Sequence, residues 1–464
     1  MTVQDWYHSE DLIASSSSTL DESTVEVDDV YGYVLPHAGT KYTGDIIQHT
    51  CRFRPKNVEV IKRVYIYYYP ANEKPDVILP RGEPTANNDD DIIRLALSAS
   101  ASASASSACH HELYVPFRTI LHYFRQWNVN TTSITFIPVN IRDIFTGRRG
   151  GGDRTRTFRQ NKSRIPQRSV KYRATVGTNR DFFIISADFS HHKPFQYAIP
   201  AENKAAHAIV TGSLNSRNGN STSHDASYLN EIDDTRTFRA FMRRHPNLSF
   251  QWIGRTRSPG ESAVGYLTFL IRPVFQPSKS KSPIDGIFVT CYDSHMNARE
   301  CLGEWFSGDG RSGASGGVSW SRGVEDEFIR KVKVKAQTES RLTGGKGANL
   351  PITRCVITYL FKDHDRNHST NHSFIRGWHS IQTNAIYLPD VLLEHAKEDG
   401  SWIAPRDTTW NITTNNSNNS NNSNNRFQLT ETLEKLDEKA GGGGGGSTNT
   451  TITLYTTRIC VKKY

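Results

Sequence analysis

The chain has 464 residues, of which 36% are hydrophobic and 22% charged, enough apolar material for one sizeable core and too much for a wholly disordered chain. Its formal charge of +9 is local: residues 148–173 (RRGGGDRTRTFRQNKSRIPQRSVKYR) hold ten Lys or Arg and one Asp, so the rest of the chain is neutral. That distribution excludes a uniformly basic nucleic-acid-coating surface, and no run approaches the roughly 20 apolar residues that span a bilayer.

Residues 1–27 are polar and acidic and read as a tail without a secretory signal, so the expectation is a cytoplasmic protein. Residues 28–410 are expected to form one α/β domain carrying long insertions. Strands are expected at Val30–Leu35 and Arg63–Tyr69, where β-branched and aromatic residues cluster between turn formers. An insertion near 81–108, with an alternating Ser/Ala tract, precedes a helical pattern over Glu112–Gln126 (ELYVPFRTILHYFRQ). A strand over Ser133–Val139 leads into a second insertion, 145–172, which holds the basic cluster. Then come a strand over Asp181–Ser186, a helix over Ala201–Leu214, an insertion near 212–226, and helical patterns over Thr235–Arg244 and Ser262–Arg272.

Strands are expected again at Ile287–Cys291 and Ile352–Phe361, separated by a Gly/Ser-rich insertion near 306–323. An Asn/Ser-rich insertion, 411–426, is followed by 427–464: a short helix, a loop with six consecutive glycines, and a strand over Thr450–Val461 that returns to the domain. The low-complexity tracts cannot bury enough apolar surface to offset their chain entropy, so they should project from the compact body. The six cysteines lack CxxC spacing, which argues against a zinc ribbon or a disulfide scaffold and for mostly reduced thiols. Alternating strands and helices imply a central mixed sheet flanked by helices.

Two strand ends carry chemistry. Val34–Gly44 (VLPHAGTKYTG) places His37 just past a strand, where it can face the crevice at a sheet's C-terminal edge. Asp181–His192 (DFFIISADFSHH) ends a buried strand in Ser186, Asp188, His191 and His192. Asp188 and His191 are spaced to hydrogen-bond, which would fix the imidazole tautomer and suit a proton shuttle.

With PHAG, the SxDFxH strand end, CHHELYVPF at Cys109–Phe117 and FIPV at Phe136–Val139, the chain resembles the Memo family, relatives of the class III extradiol dioxygenases. Weaker similarity runs through Ile232–Arg255 and Phe288–Glu300. The resemblance implies an extradiol dioxygenase-like sheet between helices with a pocket at the strand ends. It implies iron or copper held by the PHAG histidine, a PSHH histidine and a CGR cysteine, with the SxDFxH histidine beside them. His37, Asp188 and His191 match that pattern. YYYPANEKPD places Asn72, or with a shifted gap Glu73, at the second ligand position, and WIGR places Ile253 at the third, with Gly254 and Arg255 retained. His37 is then the only retained family ligand, and Cys109, Glu73 or His110 are the candidate replacements.

Two functions follow as expectations. In the first, a binding or scaffold protein keeps a degenerate metal pocket lined by His37, Asn72, Glu112, Ser186 and Arg255, which accepts a peptide or small anion. In the second, a metal-dependent redox enzyme uses His37 and His191 with a substituted ligand and iron or copper as cofactor. Nucleic-acid binding through Arg148–Arg173 is a third, weaker reading, because few aromatics accompany the charges.

Overall fold

The computed structural model describes residues 24–72, 74–79, 89–99, 108–146, 180–215, 232–233, 235–260, 263–280, 282–294, 296–306, 320–338, 351–362, 372–375, 379–382, 386–389, 409–412 and 453–464. The Arg148–Arg173 cluster, the tracts 413–426 and 427–452, and most of the expected insertions lie outside them. In chain order the first half contains β1 (Val25–Val27), β2 (Gly32–Leu35), α1 (Thr40–Cys51), β3 (Phe53–Pro55), β4 (Arg63–Tyr68), β5 (Val77–Ile78), α2 (Asp89–Ala99), β6 (Ala108–Cys109), α3 (His111–Gln126), β7 (Thr135–Asn140), α4 (Ile141–Thr146) and β8 (Asp181–Ser186). There follow α5 (Phe195–Val210), α6 (Thr235–Arg244), β9 (Leu248–Arg257), β10 (Gly265–Pro273), β11 (Gly286–Asp293), β12 (Ala298–Trp305), α7 (Arg322–Thr338), β13 (Ile352–Lys362), β14 (His372–Ile375), β15 (His379–Gln382), β16 (Ile386–Tyr387), β17 (Thr409–Ile412) and β18 (Thr453–Lys463).

The protein is mixed α/β, but among the described residues the strands form two six-stranded sheets and three two-stranded ones where the sequence suggests one central sheet. The first has the order β7-β4-β8-β2-β10-β9, with β7, β4, β8 and β2 parallel and β10 and β9 antiparallel. Strands covered on both faces need continuous apolar runs, and β8 supplies one in Phe182, Phe183, Ile184 and Ile185, all buried. One face packs on α1, α2 and α3 through residues such as Ile47, Ile93, Phe117 and Phe124. The other meets Ala205 and Ile209 of α5 and Phe238 and Phe241 of α6.

The second sheet, β12-β11-β13-β18-β15-β16, is antiparallel throughout, and the terminal strand enters it between β13 and β15. Val356, Ile459 and Val461 reach into the α5–α6 core, while Phe328, Ile329 and Val332 of α7 cover the opposite face. The two sheets also share a polar tie. The Asp29 carboxylate pairs with Arg272 of β10 at 2.7 Å and with Arg458 of β18.

Several sequence expectations change here. Ser262–Arg272, read as helical, contains the strand β10: Tyr266 to Ile271 are apolar apart from Thr268, a run too short for its period to distinguish helix from strand, and burial between β2 and β9 decides it. The polar tail ends earlier than residue 27, since Val25–Val27 pair in parallel with Phe53–Pro55. Helix α5 begins at Phe195, ahead of Pro200, which lies inside it. Cys291 and Cys355 are joined in a disulfide because β11 and β13 set them directly opposite one another, with 4.1 Å between their Cα atoms. Cys51, Cys109, Cys301 and Cys460 take no part in a disulfide among the described residues. Such a bond persists best in an oxidising compartment, which sets it against the cytoplasmic expectation. Among the described residues no helix is long and apolar enough to cross a membrane.

One buried histidine makes the fold acid-sensitive. His245, after α6, lies among Phe183, Phe241 and Tyr67, with the Tyr67 hydroxyl 3.0 Å from its Nε2. Burial, reinforced by the Arg244 charge, pushes its pKa from 6.5 down to about 4. The folded protein therefore excludes a proton that the unfolded chain takes up. This contribution to stability is complete above pH 6.5 and is lost as the pH falls toward 4, about 3 kcal/mol in all. Denaturant unfolding at a series of pH values should show that loss, and His245→Gln should flatten it. An unchanged pH slope in the variant would assign the acid sensitivity to other groups.

Candidate functional site

The parallel strands deliver their C-terminal ends to one crevice, the position at which open α/β sheets take ligands. His37 follows β2, Asp188 follows β8, and Ala71 follows β4. Although 151 residues separate them, the His37 backbone N–H donates to Asp188 Oδ1 at 3.0 Å. His37 Nδ1 shares a 2.9 Å hydrogen bond with Ser186 Oγ, so the ring turns Nε2 toward Asp188 Oδ2 at 3.6 Å and Asp233 Oδ2 at 3.5 Å. Asp233 is positioned by its own N–H, which donates to the Asp188 carbonyl. Burial raises the Asp233 pKa, the His37 charge opposes that, and the Asp188 charge adds to it.

A second half of the site comes from the start of α3. His111 and Glu112 are its first two residues, and the His111 ring stands edge-on to His37 with 5.3 Å between centroids. His111 Nδ1 bonds Asp76 Oδ2 and lies 3.6 Å from Glu112 Oε2. One donor atom each from Asp76, His111 and Glu112 falls within 4.8 Å of the others. Glu112 is held by the Ala71 N–H, which donates to its Oε1 at 2.7 Å. The Asp76 carboxylate also accepts the His111 N–H at 2.9 Å. Burial works to raise the Asp76 pKa, but its hydrogen bond and charge interaction with His111 hold it below the usual carboxylate value. Burial works in the opposite direction on His111, and its Asp76 bond with the Glu112, Asp76 and Asp188 charges still raises it.

Of the sequence-predicted residues, His37, Ser186, Asp188 and Glu112 therefore converge. His191 stands on the exposed turn after Asp188, and its charge reaches Asp233. The expected Asp188–His191 pairing is replaced by Asp188–His37, because the backbone N–H of His37 lies nearer the carboxylate than a side chain three residues along an irregular turn. Asn72 is exposed and uses its carbonyl to accept from Arg142 Nη1 at 3.3 Å. Arg255 is fully buried with its guanidinium on Glu202 at 3.2 Å and on the Ile199 carbonyl, a core ion pair. Glu73 lies outside the described residues. Cys109 is buried in the apolar core, and His110 packs beside the Tyr68 ring.

The ligand set implied by the resemblance does not assemble, since Asn72 is exposed and Ile253 is wholly buried in the core beside α1. A different donor set does: two imidazoles and four carboxylates in one crevice. Sequence reading missed Asp76, His111 and Asp233. A His-Glu pair opening a helix was the available signal for His111. No protein-family model matches this chain, and no curated protein matches it either.

Proposed function

We propose that the crevice is a divalent-metal site and that the protein is a metal-dependent enzyme of extradiol dioxygenase-like descent, the second of the two functions expected from sequence. The observation that carries this is the facing pair His37 and His111 with the Asp76, Glu112, Asp188 and Asp233 carboxylates around them. Four carboxylates outnumber two imidazoles, so the floor attracts a cation, whereas the anion expected from the first reading would be repelled. Mixed imidazole and carboxylate donors suit iron, manganese or zinc, and two histidines with a carboxylate are the donor type of non-haem ferrous sites. A bound divalent ion supplies Lewis acidity and open coordination positions.

The chain's own residues do the rest. Ser186 fixes the His37 ring through Nδ1, as a hydrogen-bond partner does for a metal-binding histidine, and the Ala71 N–H orients Glu112. His191, on the exposed stretch after β8, is the histidine that the sequence marks as suited to proton transfer and that the Memo resemblance places beside the metal, and Asp233 is the carboxylate its charge reaches. Against the scaffold reading stands the depth of the donors: Glu112 and Asp188 are both at least nine-tenths buried, a costly arrangement for a site that holds nothing.

Metal analysis of protein purified without a histidine tag should find about one equivalent of a divalent metal, and chelation should lower the melting temperature. His37→Ala and His111→Ala should each lose the metal while remaining folded. Trace metal only, with no response to chelation, would return the crevice to the scaffold reading.

A further inference from the structure

We propose that Arg257 is a positioning residue for the crevice: its guanidinium clasps the stretch 187–193 and so sets where Asp188 and His191 stand. The inference rests on the enzyme reading for the part Asp188 plays in holding metal, but the clasp itself is built from other residues.

After β8 the chain forms neither helix nor strand until α5 begins at Phe195, so the stretch that carries Asp188 and His191 has no regular structure of its own. Contacts with its neighbours must hold it. Its backbone lies against the start of β10: the Phe189 N–H donates to the Gly265 carbonyl at 3.0 Å, the Gly265 N–H donates to the Ser190 carbonyl at 2.8 Å, and Lys193 bridges Ala263.

Arg257, on β9, stands directly across the ladder from Gly265. The space that a side chain at 265 would fill is taken by the Glu202 carboxylate and the Ser190 hydroxyl, since an added Cβ would sit 2.0 Å from Glu202 Oε1 and 2.8 Å from Ser190 Oγ. Arg257 Nη1 donates to those same two atoms, at 2.5 and 3.2 Å. Its Nη2 donates to the carbonyls of Lys193 and Ala263, both at 3.2 Å. One guanidinium thus grips the stretch on either side of His191 and His192 and ties it, through Glu202, to α5.

Two further observations fit a stretch held from outside. His192, between the two grips, has a φ of 53°, a left-handed conformation that a residue other than glycine keeps only where its surroundings hold it. Asp188, two residues before Ser190, accepts the His37 N–H on its side chain and the Asp233 N–H on its carbonyl, so a shift at Ser190 is carried to both partners. Arg257, Ser190 and Glu202 are all buried. A lysine at 257 would keep the charge beside Glu202, but as a point donor it could not span the acceptors that Nη1 and Nη2 reach together.

The test uses the full chain stripped of metal by chelation and compares wild type with Ser190→Ala and Arg257→Lys. Val332→Ala, which removes buried volume under α7 in the second sheet, is the control for a general loss of stability. Amide hydrogen exchange is measured over 187–193, and cobalt(II) binding is titrated by its absorption. Both clasp variants should speed exchange in that stretch about tenfold or more. They should weaken cobalt binding about tenfold, the low end for a residue that orients metal ligands, and change the cobalt spectrum. Val332→Ala should change neither readout at the crevice. Ser190→Ala leaves the Arg257–Glu202 ion pair in place, so it decides alone if Arg257→Lys does not fold. Exchange no faster than in the control, or faster exchange with unchanged cobalt affinity and spectrum, overturns the proposal and leaves the metal reading standing. Faster exchange over 187–193 in a protein whose wild type binds no cobalt keeps the clasp and overturns the metal reading.

Discussion

Replacing Glu202 with alanine is expected to remove about 4 kcal/mol of stability, the size seen when one partner of a buried ion pair is deleted. Arg255 and Arg257 alternate along β9 and so point to the same face of the sheet, toward α5. There the Glu202 carboxylate receives both, at 3.2 Å from Arg255 and 2.5 Å from Arg257, and also accepts the Ser190 hydroxyl. All three side chains are essentially inaccessible to solvent. Without the carboxylate, two guanidiniums remain in the core with one of their counter-charges gone. Glu202→Gln keeps the shape and loses the charge, so it should recover only part of the deficit. Urea unfolding with an unchanged m-value gives the number. A loss below about 1 kcal/mol would mean that water reaches the arginines and that the triad is a solvated surface network.

Gly32→Ala is expected to be at least as severe, and for a reason that has nothing to do with glycine's freedom. A Cβ built on Gly32 would sit 1.9 Å from the carbonyl oxygen of Phe183, on the neighbouring strand β8. That obstacle is backbone and cannot rotate away, so β2 and β8 would have to separate. The expected cost is about 3 kcal/mol or more. Because β2 carries His37 and β8 carries Asp188, the same change should also lower metal content in whatever protein folds. Gly44→Ala, in α1 where nothing lies within 4 Å of the added atom, should have the opposite sign, a gain of about 0.5–1 kcal/mol from reduced chain entropy. Normal stability and metal content in Gly32→Ala would show that the strands separate easily at this point.

The contrast between these two glycines indicates which parts of the structure could be read in advance. Strands β4, β8 and β13 were legible because each is a continuous β-branched and aromatic run bounded by turn formers. Helix α3 was legible because its apolar residues recur at helical spacing. Strand β10 was not, since a short run such as Tyr266–Ile271, apolar apart from Thr268, fits a buried helix as well as a buried strand. Helix α7 was not among the expected elements, although Phe328, Ile329, Val332 and Ala336 lie at helical spacing, because the many Lys, Arg and Glu residues between them dilute the apolar stripe. At the site, His37 and Asp188 were visible from their places just past strand ends. Asp76 and Asp233 were not, because their roles depend on which loops the sheet order brings together. The second sheet was hidden for the same reason: nothing in Thr450–Val461 states whether it pairs with β9 or with β13.

The place of β18 imposes an order on synthesis. The first sheet has all six strands once Pro273 has left the ribosome, whereas the second lacks an interior strand until Thr453–Lys463 emerge. The ~180 residues between take roughly ten to forty seconds to translate. From Lys362 onward, for the last ~90 residues or roughly five to twenty seconds of that interval, β13 presents an unpaired edge, the kind of surface on which nascent chains associate wrongly, and throughout it Asp29 and Arg272 wait without Arg458. A chaperone that shields strand edges would therefore be needed late in the making of this protein, after the crevice with its histidines and carboxylates already has its framework.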